Sequence, residues 1–151
     1  MLSMDCVFID FNGNSDKEIV ANLADKMYEK KLVKDSFKNA VLEREEVFPT
    51  GLQVQDYGIA IPHADSVHVN EPSIAVAKLN HPVKFGKMGG EDGETVNVNI
   101  VIMMSILNDK DQLPTIMKIL DIFADETKIK KIKGSTTKTE LHSFFVENLQ
   151  M

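Results

Sequence analysis

The spacing of apolar residues changes several times along the chain, and each change predicts a new element. After the short apolar run Cys6–Ile9, the segment FNGN supplies turn residues and Ser15-x-x-Glu18 has the spacing of a capping box. Ile19, Leu23 and Met27 then recur every four residues with Val20 and Ala24 beside them, which predicts an amphipathic helix running to about Lys31. Asp35 or Ser36 can open a second helix, which Pro49-Thr50-Gly51 stops after Phe48.

The period then shortens. Gly58-Ile59-Ala60-Ile61-Pro62 is too brief for a helix, and Ser73–Leu79 is rich in β-branched residues, so both predict strands. Val83–Phe85 and Thr95–Met104 predict a strand pair around the loop GKMGGEDGE, with Val96, Val98, Ile100 and Ile102 on one face of the longer strand. Helical spacing returns at Asp111–Ala124, where Leu113, Met117, Leu120 and Ala124 form a stripe with Ile116 and Phe123 alongside. Pro114 is tolerated there because it falls in the first turn. A Lys-rich segment, 128–133, reads as a solvated helix face, and Leu141, Phe144, Phe145 and Leu149 predict a closing helix. Roughly four helices interleaved with four or five strands imply an α/β fold, a sheet covered by helices. No repeat or linker divides the chain, so residues 1–151 are expected to form a single domain.

Composition narrows the function classes. A net charge of −6 without a basic cluster disfavours nucleic acid as a partner. No stretch approaches the ~20 apolar residues that span a bilayer, and MLSMDCVFIDF lacks the basic and apolar regions of a signal peptide. A cytoplasmic protein without direct membrane insertion is expected. The single cysteine, Cys6, excludes an internal disulfide and sits among apolar neighbours as a small buried hydrophobe.

Candidate chemistry centres on His63. It follows an apolar strand, and Pro62 fixes its own φ while confining Ile61 to extended backbone, so the imidazole leaves a stiff strand end at a defined angle. A neutral imidazole hydrogen-bonded at one nitrogen keeps the other free as a nucleophile. Sixteen of the seventeen basic residues are Lys; the remaining one is Arg44, in a helix segment whose neighbours at three and four residues are Ala40, Val41, Val47 and Phe48. Without a carboxylate on its own helix face, Arg44 is expected to turn toward the core face and require an anion, either a distant Asp or Glu or a phosphoryl group that suits its planar fork. His63 and His68 are five apart, without the spacing or third ligand of a zinc site, so no metal is expected. His81 and His142 read as loop and surface residues. The Gly-rich stretch 86–93 lacks P-loop spacing and carries Glu91 and Asp92, which repel phosphate.

Together, Arg44-Glu45-Glu46, Phe48-Pro49-Thr50-Gly51, Gly58-Ile59-Ala60-Ile61-Pro62-His63 and Pro82-Val83-Lys84-Phe85 resemble the enzyme IIA domains of the mannitol/fructose class of the sugar phosphotransferase system. The resemblance implies a mixed sheet flanked by helices on both faces, and a phosphotransferase acting through phosphohistidine without a cofactor. It implies HPr as phosphoryl donor and a cysteine of a IIB component as acceptor, with IIC as the membrane transporter. Carried over by motif, His63 is the phosphorylated residue and Arg44 the phosphate-binding arginine. Many members of the class have a second histidine at the start of the helix after the long strand; here that position is Gln112, which donates a hydrogen bond but carries no titratable charge. The region from Thr50 through Gln112 looks like the galactitol-specific branch. Two alternatives stay open at this point: a regulatory IIA-like protein of the nitrogen-related branch, and an interaction domain in which His63 and Arg44 are structural.

Overall fold

The computed structural model describes residues 2–149; positions 1 and 150–151 of the expected single domain lie outside the described residues. Strand β1 (Val7–Phe11) leads into helix α1 (Asp16–Glu29), whose start is fixed as the capping pattern predicts. Ser15 Oγ accepts the Glu18 N–H at 3.1 Å, and the Glu18 carboxylate reaches back to the N–H of Asn14 at 3.0 Å, one residue earlier than the usual box. Helix α2 (Phe37–Val47) follows, then β2 (Leu52–Val54), β3 (Tyr57–Ala60), β4 (Ser73–Gly86) and β5 (Thr95–Ser105). Three helices close the chain: α3 (Gln112–Phe123), α4 (Glu126–Gly134) and α5 (Lys138–Leu149).

The strands lie in the order β1-β4-β5-β3-β2. β1 runs parallel to β4 and β3 parallel to β5, while β4–β5 and β2–β3 are antiparallel, so the sheet is mixed as expected. One face buries Ala75, Ala77, Val101 and Met103 against Ile19, Leu23, Phe37 and Val41 of α1 and α2. The other buries Ile74, Val76, Ile100 and Ile102 against Ile119, Ile132, Leu141 and Phe145 of α3, α4 and α5. Helices therefore cover both faces.

Five details differ from the sequence reading. The expected strands at Ser73–Leu79 and Val83–Phe85 form one strand, β4, whose pairing with β5 shifts register between Lys78 and Val83. The extra β4 residues bend the ribbon, so Val96 and Val98 join the α1/α2 cluster while Ile100 and Ile102 face the other side. The Lys-rich segment is the complete helix α4, capped by Asp125, which makes five α-helices among the described residues rather than four, and β2 is an edge strand that its three residues do not announce. In α3 the buried stripe is Thr115, Ile119, Ile122 and Phe123, leaving Leu113 and Met117 exposed.

Lys78 joins the two halves of the second core. Its Nζ donates to the carbonyls of Ile132, Lys133 and Ser135 at 2.7–3.0 Å, gathering acceptors at and just beyond the carboxyl end of α4. Lys78→Met removes these charge-assisted bonds and is expected to lower stability by about 2 kcal/mol, read as a fall in the urea midpoint at unchanged slope.

Candidate phosphoryl-transfer site

β3 and β5 are parallel, so their carboxyl ends point the same way and bring the segments that follow them together. Gly58 makes the pairing possible: a Cβ there would collide with the Asn97 carbonyl, and the Gly58 N–H is taken by Asn99 Oδ1 at 2.9 Å. Beyond β3 the Pro62 carbonyl accepts the Met104 N–H at 3.2 Å, extending the contact to His63. Beyond β5 a single turn, Asp109–Asp111, leads into α3, and Asp109 Oδ1 accepts the Ser66 N–H at 2.8 Å.

His63 is 7% exposed. Its Nδ1 lies 2.9 Å from the Ile61 carbonyl; a carbonyl only accepts, so Nδ1 carries the proton and Nε2 the free lone pair. The fully buried side-chain polar atoms without a partner are Tyr57 Oη and Ser73 Oγ among the described residues. Nε2, which has no hydrogen-bond partner among the described residues and is not one of them, therefore reaches solvent. Burial holds the imidazole pKa below its ordinary value, the Arg44 charge lowers it further, and the Ile61 bond and Asp65 act in opposition.

Arg44 approaches the same segment from α2, but not from the core. Its side chain is 36% exposed, its Nη1 meets Asp65 Oδ1 at 3.4 Å, and its guanidinium lies over Phe48, 5.8 Å from the ring centre. The expectation of a core-facing Arg44 is thus corrected. The helix buries the row Phe37, Val41 and Glu45, spaced by four, and leaves Val47 and Phe48 exposed beside Arg44. The anion it needs is Asp65, at the rim of a cleft of about 300 Å³ lined by Ala40, Glu43, Ala64 and His68. His68 is held there by Ser36, whose Oγ lies 2.8 Å from Nδ1.

Gln112 stands at the first position of α3 and faces the same loop: its Nε2 donates to the Ala64 carbonyl at 3.2 Å and to Asp109 Oδ1 at 3.4 Å. His63, Arg44 and Gln112 are therefore brought to one loop, 63–66, by three different elements. Sequence reasoning missed Asp65, Asp109 and the buried Glu45. Glu45 had a visible signal, a carboxylate four residues after Val41 on the buried row.

An imidazole with a free Nε2, backed by a carbonyl and flanked by a guanidinium, is equipped to take up a phosphoryl group without a cofactor, and together with the mixed sheet it describes a histidine phosphocarrier. Residues 1–148 match the family described as phosphoenolpyruvate-dependent sugar phosphotransferase system, EIIA 2, and the chain belongs to that family. Among its relatives, the galactitol-specific EIIA component of Escherichia coli (strain K12) is 26% identical over 130 residues, covering 86% of this chain and 85% of that one. The mannitol-specific enzyme IIA component of Staphylococcus aureus (strain N315) is 26% identical over 148 residues, 97% of this chain and 96% of that one. In fold, the chain superimposes on mannitol enzyme IIA from Escherichia coli, solved in complex with phosphorylated mannitol enzyme IIB, with a TM-score of 0.78 at 18% identity, covering 97% and 99% of the two chains.

Among the described residues no helix is long and apolar enough to cross a membrane. Val47, Phe48, Val67, Leu107 and Leu113 are each more than half exposed. Val47 and Phe48 line the cleft beside Arg44, Val67 follows Ser66 and Leu113 follows Gln112, and exposed apolar side chains of this kind suit a transient protein partner.

Proposed function

We propose that His63 is the phosphoryl acceptor of this EIIA protein, that phospho-HPr is its donor, and that the cysteine of a IIB component discharges it in the cytoplasm. The observation that carries this reading is the bond from His63 Nδ1 to the Ile61 carbonyl, which leaves Nε2 as the nucleophile. Nε2 attacks phosphorus in line as the donor's own N–P bond breaks; the electron pair returns to the donor imidazole. The Nδ1 proton stays, and the Ile61 carbonyl stabilises the positive charge that the accepting ring develops. Arg44 leaves Asp65 to neutralise the phosphoryl oxygens, and the Gln112 amide turns from Ala64 to donate to one of them. Likeness to the galactitol-specific component supports galactitol as the sugar served.

Incubation with phosphoenolpyruvate, enzyme I and HPr is expected to give an acid-labile, alkali-stable phosphoprotein, discharged faster by a galactitol IIB than by a mannitol IIB. An alkali-labile label would overturn the histidine assignment.

The pH dependence follows from the ring's environment. Burial and Arg44 disfavour the imidazolium, so the folded pKa lies below 6.5 and the nucleophilic form predominates at neutrality. NMR titration of the His63 ring is expected to give a midpoint below 6.5, with phosphoryl acceptance falling as pH drops through it. A midpoint above 6.5 would mean that the ring is not desolvated as the fold requires.

A further inference from the structure

The mechanism leaves Glu45 unused, although it is a carboxylate with only 8% of its surface exposed. Its two oxygens are both engaged by one residue: the Thr50 N–H donates to Oε2 and the Thr50 hydroxyl to Oε1, each at 2.8 Å. The same hydroxyl accepts the Ile61 N–H at 3.0 Å, and Ile61 in turn supplies the carbonyl that holds His63 Nδ1. Four residues from α2, the turn after it and the end of β3 thus form one unbroken chain of hydrogen bonds from Glu45 to the imidazole.

We infer that Glu45 is a positioning residue for the phosphoryl-accepting imidazole: its ionised carboxylate, acting through Thr50, holds Ile61 and Pro62 in the register that presents His63 Nε2. The inference rests on His63 being the acceptor. With Thr50 donating from both its N–H and its hydroxyl, the pattern is that of the ionised carboxylate. A proton on Oε2 would face the Thr50 N–H and break that bond, whereas a proton on Oε1 would reverse the hydroxyl bond, making Thr50 Oγ1 an acceptor from Glu45 and sending its own proton elsewhere. In the first case Thr50 loses its backbone anchor, and in the second the hydroxyl that receives the Ile61 N–H is reoriented.

The surroundings place this change near neutrality. Burial pushes the Glu45 carboxyl up to about 7 against the lowering effect of the Thr50 bonds, and Asp16 on α1 adds to the rise. Glu46 on the same helix and Glu91, Asp92 and Glu94 on the β4–β5 loop line the adjoining cleft, where Lys17 is the single basic side chain. Glu45 therefore loses its proton only when the solution is close to neutral, and the imidazole is held in register from there upward.

The test uses the full chain, with wild type compared to Glu45→Gln, Thr50→Val and Thr50→Ser. Phosphoryl uptake from phospho-HPr is followed across pH 5 to 9, and the ring nitrogens of His63 are followed by NMR over the same range. In wild type, a second inflection near 7 is expected in both the rate and the Nδ1 shift, in addition to the ring's own titration. Glu45→Gln and Thr50→Val are expected to lose that inflection and to accept phosphoryl about tenfold more slowly at pH 8, while Thr50→Ser recovers most of the rate. Wild-type uptake and shifts in Glu45→Gln overturn the inference, and so does a slower rate with the inflection retained. If Glu45→Gln does not fold, a wild-type Nδ1 titration with no inflection near 7 overturns it equally. Failure of the acceptor assignment gives a different result: the wild-type chain takes up no label while its ring still senses Glu45.

Discussion

His63→Asn is expected to fold like the wild type and to take up no phosphoryl group, a loss of at least ~1000-fold in the rate of labelling by phospho-HPr. The choice of asparagine separates the two jobs of the imidazole. An asparagine amide nitrogen sits about where Nδ1 does and can donate to the Ile61 carbonyl, so the buried acceptor keeps a partner. What asparagine lacks is the atom at Nε2. His63→Ala removes both and leaves the Ile61 carbonyl without its donor, so it should also be dead but less stable by about 1–2 kcal/mol. The comparison is made by phosphoryl uptake and by thermal midpoint on the same preparations. Label retained by His63→Asn would move the acceptor to another residue, and His68 in the neighbouring cleft would be the first to examine.

Much of this was legible in the chain, for reasons that particular residues make clear. Ser15 and Glu18 act within one turn, so the start of α1 could be read from four positions. The extended backbone forced by Pro62 likewise made His63 stand out without knowledge of anything distant. Tertiary partners were harder. Leu113 and Met117 belong to a helical stripe of apolar residues, a pattern that normally faces inward, yet both are exposed. The stripe marks an amphipathic helix but not which side meets the sheet, because apolar residues serve an exposed patch and a core alike. Gln112 was correctly placed at the start of α3, where its amide donates to the loop that carries His63.

Arg44 and Glu45 show the same limit within a single helix. Both lie close to Val41 in projection, at three and four residues, and either could have continued the buried row from Phe37. Packing against α1 selects the four-residue row, which buries the carboxylate and sends the guanidinium to the rim. Periodicity cannot distinguish two rows separated by 100° when both contain a charged residue. What was legible was that one charge on this helix needed a partner; which charge, and which partner, depended on the contacts of Glu45 with Thr50, five residues on, and of Arg44 with Asp65, twenty-one residues on.

Placement at the rim gives Arg44 a role that can be separated from stability. Its bond to Asp65 is long and solvent-accessible, an arrangement worth roughly 0–1 kcal/mol, so Arg44→Met is expected to shift the unfolding midpoint little. Phosphoryl acceptance should fall about 100-fold, because the charge on the transferring oxygens loses its fork of donors in a partly desolvated cleft. Arg44→Lys keeps the charge but not the planar pair of N–H groups, and is expected to recover only part of the loss. A second consequence has a definite sign. Burial is the main cause of the low imidazole pKa, but the Arg44 charge contributes in the same direction, so removing it lets His63 bind a proton more readily. The ring titration of Arg44→Met should therefore move to higher pH than wild type, toward 6.5, while Arg44→Lys stays nearer the wild-type midpoint. If Arg44→Met accepted phosphoryl at the wild-type rate while the ring titration moved as expected, the guanidinium would be a neighbour of the imidazole that never meets the transferred group. Charge stabilisation would then have to come from Gln112 and from the donor protein itself.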